Sequence, residues 1–226
     1  MNKINIILLI VLIKISFLPL NAEENLKNWD GQVIGMTRLK APWYAPKFFV
    51  ESKMKDSISE YSMINGLQKK MYSLESDSSL FGGVYLWVNE KSARDWWNES
   101  FFDRVNKRYG GDNKVPLKQA LFIHSIDKIE KVEVAERWIL IKRYTIPSDS
   151  ISNIQKHFES KISNLQKSKG YISLWIAGCE NSQIEIISLW TNENSMKEAN
   201  LAELVLSAWK EESEIKTKST IQLNNE

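Results

Sequence analysis

Cysteine is almost missing from this chain and histidine is scarce. The lone Cys179 rules out an intramolecular disulfide, so the fold must be held by packing alone. The two histidines, His124 and His157, stand far apart, and no H-x-x-E-H, H-E-x-x-H or C-x-x-C spacing occurs. That excludes the common metal-binding patterns, and neither a metal nor a cofactor is expected. Excess charge is missing as well. Thirty basic side chains face 28 acidic ones with no basic stripe among aromatics, so no nucleic-acid partner is expected. Long apolar runs are limited to Ile4 to Leu20, interrupted by Asn5, Lys14 and Ser16. Lys3 precedes this run and Leu20-Asn21-Ala22 closes it before Glu23-Glu24, the layout of a secretory signal peptide spanning residues 1–22. Lys14 and Pro19 argue against a lasting anchor, so no stable membrane span is expected after processing. The expected destination is outside the cytoplasm, periplasmic or secreted. Loss of Lys3 and Lys14 leaves the mature chain near neutral.

What is present is apolar mass: 43% hydrophobic residues against 26% charged, enough for a real core, and nine tryptophans. A repeat organises it. Residues 86–92 read LWVNEKS and residues 189–195 read LWTNENS. Arg38-Leu-Lys-Ala-Pro42 is echoed by Arg143-Tyr-Thr-Ile-Pro147 at almost the same spacing, so two halves share one plan.

In the first half, Val33 to Leu39 reads as a strand closed by the prolines of APWYAP (41–46). Val50, Met54, Ile58 and Tyr61 recur at helical spacing through Lys47 to Ile64, before Asn65-Gly66. Leu67 to Leu74 and Leu80 to Val88 read as a hairpin, Glu90 to about Arg108 as a helix, and Pro116 to Ile126 as a strand. The second half predicts a strand at Trp138 to Ile146 and a helix at Ser148 to Lys167 that stops at Gly170. A hairpin of Tyr171 to Ala177 with Ile184 to Trp190 follows, then a helix from Asn192 to about Glu212 and a last strand at Lys216 to Leu223. Each half is thus β-α-β-β-α-β, an α+β, ferredoxin-like unit, with domains at residues 23–130 and 131–226. Within the repeated heptad, Leu and Trp end a buried strand, Asn caps the next helix and Glu sits in its first turn.

The stretch GGVYLWVNEKSARDWW (82–97) resembles the dimeric α/β barrel superfamily of antibiotic biosynthesis monooxygenases, and most closely its YdhR-type branch of proposed monooxygenases. The resemblance covers roughly Val33 to Ile126. It implies two sheets facing each other as a barrel with an interior pocket, here built as a monomeric pseudo-dimer or, if each half seeks a partner chain, as a homodimer. Members of the superfamily include cofactor-independent oxygenases, haem-degrading enzymes and isomerases. The haem-degrading pattern of Asn-Arg-Leu, tryptophan and an iron-binding histidine falls on Thr37-Arg38-Leu39, Trp96 and Asn106, and asparagine is not an axial haem ligand.

Those expectations select candidate residues. His124, alternating with Phe122 and Ile126, is the candidate base for a cofactor-free oxygenase if its face lines the barrel, and a surface histidine if it points outward. Arg38 would orient an anion and Tyr85 would donate a hydrogen bond, or both serve structure. Trp43, Trp87 and Trp96 would line a site for a small apolar or aromatic molecule, the alternative being core packing. Beside the oxygenase stand two other classes, a non-catalytic extracytoplasmic ligand-binding protein and a protein-interaction module with an uncovered sheet face.

Overall fold

The computed structural model describes Leu26 and residues 29–75, 80–109, 114–126 and 131–225; the expected signal peptide lies outside them. Strand β1 (Val33–Lys40) runs into the proline corner, where the Ala45 amide donates to the Pro42 carbonyl at 2.9 Å. The expected long helix is two, α1 (Lys47–Asp56) and α2 (Ile58–Ser62). They part at Ser57, whose hydroxyl donates to the Met54 carbonyl at 2.8 Å. The hairpin β2 (Leu67–Leu74) and β3 (Leu80–Trp87) follows. The next expected helix is also divided, into α3 (Glu90–Trp96) and α4 (Glu99–Tyr109), because Asn98 caps the second by accepting from the Phe101 amide at 3.1 Å. Strand β4 (Leu117–Ser125) completes the unit.

After a short β5 (Val132–Glu133), the second half comprises β6 (Arg137–Thr145), a 3-10 turn leading into α5 (Ile154–Leu165), and the hairpin β7 (Tyr171–Cys179) and β8 (Gln183–Trp190). Its second helix departs from expectation. Helix α6 covers only Glu193–Glu198, ended by extended backbone at Ala199, and Lys210 to Glu212, expected as the end of that helix, instead begin strand β9 (Lys210–Ser219), which runs on into the expected last strand. Pairing with β6 along almost its whole length satisfies the β9 backbone, while Ile215, Thr217 and Ser219 turn inward and Lys and Glu turn out. A last strand, β10 (Gln222–Asn224), crosses back to the first half to pair with β2, and β5 pairs with β10.

Strand order within the halves is β4-β1-β3-β2 and β9-β6-β8-β7, both antiparallel. Pairing of β4 with β7 and of β9 with β2 closes eight strands into one ring, so a single chain builds the two-sheet, ferredoxin-like barrel. Side chains alternate across each strand. Inward rows from both sheets, Ile34, Val84 and Leu86 with Ile141, Trp175 and Ile187, pack against one another in the barrel. Outward rows meet the helices in two separate layers, around Trp87 and Trp97 in one half and Phe158 and Trp190 in the other.

The repeated heptad is the same corner built twice. Asn89 Oδ1 accepts from the Ser92 amide and Asn192 Oδ1 from the Ser195 amide, each at 2.9 Å. The residue before each asparagine donates its amide to a glycine carbonyl, Val88 to Gly66 at 2.9 Å and Thr191 to Gly170 at 2.8 Å. Both glycines have positive φ (80° and 78°), and a Cβ on either would stand 2.4–2.5 Å from the oxygen of the heptad serine. Strand end, helix start and hairpin entry are thereby locked together.

Candidate functional site

The structure disperses the residues that the sequence singled out. On β4, Ile123 packs into the barrel and Ser125 reaches a cavity at its end, so His124 between them faces outward. Its Nδ1 lies 2.8 Å from the Tyr171 hydroxyl, and burial lowers its pKa. Arg38 continues the inward row of Ile34 and Met36 but ends at the barrel mouth, 2.6 Å from Glu75. Tyr85 is buried on the helix-facing side, its hydroxyl 3.3 Å from Thr37 Oγ1. Val33 pairs with Gln119, which sets Arg38 and His124 at opposite ends of the sheet. At ~3.3 Å per residue they are roughly 30 Å apart along the strands. These three side chains do not share one site. The tryptophans divide likewise: Trp43 is 94% exposed, Trp87 is fully buried, and Trp96 is half-buried beside Tyr61.

The barrel interior is filled. At one end a cavity of about 20 Å3 sits beside Ser125, Ser173, Trp175 and Gln222, room for a water and no more. At the other end Glu185, 2% exposed, bonds Lys118 and, at 2.5 Å, Arg143. Burial alone would raise the Glu185 carboxyl; the Lys118 charge and the hydrogen bonds from Lys118 and Arg143 outweigh it and hold the pKa below the ordinary value. Cys179 nearby is pushed up to about 11, chiefly by burial, so its thiol stays protonated at neutral pH.

Between the first sheet and its helices lies a feature that the sequence reading missed. Lys70, 2% exposed, holds its ammonium 3.0 Å from the Tyr61 ring centre, 3.7 Å from Tyr72 and 4.8 Å from Tyr85. Burial lowers the lysine pKa well below its usual value, against a weaker opposing pull from Glu60, and raises those of all three tyrosines. Trp97 stands edge-on to both Tyr85 and Trp87 at 5.0 and 5.2 Å. The layer is closed, so its aromatics are core. The one sequence signal for it was Lys70 in the outward, apolar row of Leu67 to Leu74.

Next to this layer the surface opens into a groove of about 360 Å3 between the proline corner, α1 and the end of α4. Its floor is apolar, with Ala41, Val50 and an edge-to-face pair, Phe81 and Tyr109, at 5.1 Å. Tyr44 and Phe49 form one wall, and Lys53, Lys107 and Arg108 form a cationic rim. A flat apolar body fits the floor, and the rim favours an anionic substituent. No histidine lines it; His157 is bonded through Nε2 to the Leu204 carbonyl at 2.7 Å in the second half. Among the described residues no group of three or more His, Cys, Asp or Glu side chains is placed to hold a metal ion.

In sequence, no protein family matches the chain, and no curated protein matches it. In structure, it is similar to a proposed monooxygenase from Fusobacterium nucleatum (TM-score 0.59, 5% identity, covering 87% of this chain and 95% of that one). It is similar also to a proposed monooxygenase from Lactobacillus acidophilus (0.59, 11%, 86% and 97%) and to an anthrone oxidase-like protein (0.54, 9%, 87% and 94%). It is similar too to a ferredoxin-fold protein from Listeria monocytogenes described as related to antibiotic biosynthesis monooxygenases (0.50, 10%, 86% and 98%); at these identities the likeness establishes the ferredoxin-type fold and no activity.

Proposed function

We propose that the chain is an exported binding protein for a small, flat, apolar molecule that carries a negative charge, held in the groove of the first half. The observation that carries this reading is the contrast between a barrel packed to a cavity of about 20 Å3 and a groove of about 360 Å3 with aromatic walls and a cationic rim. Export rests on the character of residues 1–22, and a processed amino terminus at Glu23 is its direct check. For the ligand, thermal shift with aromatic carboxylates and their neutral analogues is the test. The acids raise Tm more than the neutral compounds do, and Ala45→Trp, which fills the groove from its half-buried side, abolishes the shift without unfolding the protein. Equal shifts in Ala45→Trp and the parent would end the proposal.

A second reading, cofactor-independent oxygenation, draws on the described character of the similar structures. It requires a base beside the substrate, and His124 lies on the outer face of β4 against Tyr171, away from the groove. Oxygen uptake with a flat phenol that disappears in His124→Ala would favour this reading over simple binding.

A further inference from the structure

The proline corner carries more aromatic surface than the groove uses. Four large rings fall within residues 43–49, and all are exposed: Trp43 94%, Tyr44 69%, Phe48 74% and Phe49 49%. Tyr44 and Phe49 belong to the groove wall, whereas Trp43 and Phe48 do not line it. The backbone that presents them is held at several points. Pro42 and Pro46 bracket the turn, the Ala45 amide closes it at 2.9 Å, and Val50 and Met54 anchor α1 to the sheet.

The charges between these rings identify what the surface fits. Lys40, Lys47, Lys53 and Lys55 lie along the same stretch with Glu51 and Asp56; Asp56 is 2.9 Å from Lys53, and Lys47 donates to the Glu75 carbonyl at 3.4 Å. Lysine is depleted from the centres of protein interfaces, because its ammonium is costly to strip of water. Tryptophan, tyrosine and phenylalanine interleaved with lysine suit a different boundary, where rings enter the headgroup layer and lysines reach anionic phosphates. No described helix is long and apolar enough to cross a membrane, so contact of this kind lies on the surface of a bilayer.

We infer that the corner formed by residues 40–56 docks on an anionic lipid surface, with Trp43 and Phe48 entering the interface and the lysines contacting headgroup phosphates. Trp43 and Phe48 do not line the groove, so their insertion is separate from the ligand proposed there, while Lys53 belongs to both the rim and the docking surface.

The test places an environment-sensitive fluorophore on the full chain at Trp43→Cys in a Cys179→Ser background. Position 43 then reports on this corner alone, whatever residues 1–25 do. Vesicles of phosphatidylcholine with phosphatidylglycerol shift the emission to the blue, and phosphatidylcholine alone does not. Adding Lys47→Glu and Lys53→Glu raises the lipid concentration needed for half the shift by roughly fivefold or more per lysine, and high salt does the same. Emission that stays at its aqueous wavelength with anionic vesicles overturns the inference. So does a blue shift that grows with protein concentration in the absence of lipid, which would assign the corner to a second copy of the chain.

Discussion

Replacing Glu185 by glutamine removes the charge on which the closed end of the barrel depends. Glu185 is 2% exposed, and the side chain of Lys118 is only 14% exposed, whereas Arg143 at 41% can turn to water. Breaking a buried pair from one side costs about 3–5 kcal/mol, because the remaining charge is stranded. With one of the two cations able to rehydrate, the low end applies, ~3 kcal/mol, or a Tm lower by roughly 6–12 °C for a chain of this size. Urea unfolding of parent and Glu185→Gln across a pH series gives the value. The sign with pH follows from the depressed carboxyl pKa. The folded protein holds its proton less tightly than the unfolded chain, so the contribution is complete above the ordinary carboxylate range and fades as pH falls through the depressed value. The gap between parent and variant therefore narrows in acid. Glu185→Leu combined with Lys118→Met recovers most of the loss, since no charge is then left buried. A deficit at neutral pH below ~1 kcal/mol, the worth of an exposed pair, would refute the reasoning. A deficit unchanged in acid would refute it too.

The repeated corner and the buried lysine each predict a further outcome. Gly66→Ala and Gly170→Ala each destabilise by at least about 1–2 kcal/mol by urea unfolding, because both positions demand positive φ and a Cβ there meets the heptad serine; an unchanged midpoint in either would break the account of the repeated corner. Lys70→Met raises stability at neutral pH and removes a dependence on alkali. In the parent, stability rises as pH climbs from the depressed lysine pKa toward the ordinary value of 10.5, where the unfolded chain still holds the proton that the folded one has released. Unfolding midpoints of the two proteins between neutral pH and pH ~10 show whether that rise is there.

Much of the fold was legible because local signals agreed with one another. The paired heptads, the positive-φ glycines after the first helix of each half and the alternating strands set out two β-α-β-β-α-β units, and the capping roles read from Asn89 and Asn192 are the ones that the backbone uses. Strand β9 was legible only in part: Lys216 onward reads as a strand, whereas Lys210 to Glu212 reads as the end of a helix, for a physical reason. Its inward face shows one aliphatic residue, Ile215, then Thr217 and Ser219, while its outward face of Glu and Lys is what a solvated helix end also displays. Short strands such as β10 gain order only from partners far away in sequence, which periodicity does not report.

The candidate site was less legible. Aromatic type marked Trp43, Trp87 and Trp96 alike, yet one is in solvent, one in the core and one between. The groove depends on Phe81 of β3 meeting Tyr109 of α4, a contact that no local pattern encodes. Lys70 reads as an ordinary strand lysine until Tyr61, Tyr72 and Tyr85 are brought around it.

Because one chain supplies both sheets, each residue of this barrel occurs once. In a ring of two identical subunits every substitution is made twice, and a change that suits one side must be tolerated on the other. Covalent linkage lifts that constraint, and it also makes assembly of the ring independent of protein concentration. The asymmetry between the halves, with α3 and α4 in the first where the second has only the six-residue α6, and a cationic aromatic groove in the first against a charged strand in the second, is denied to a ring of two identical subunits. One half is free to acquire surface chemistry while the other serves as its permanent wall.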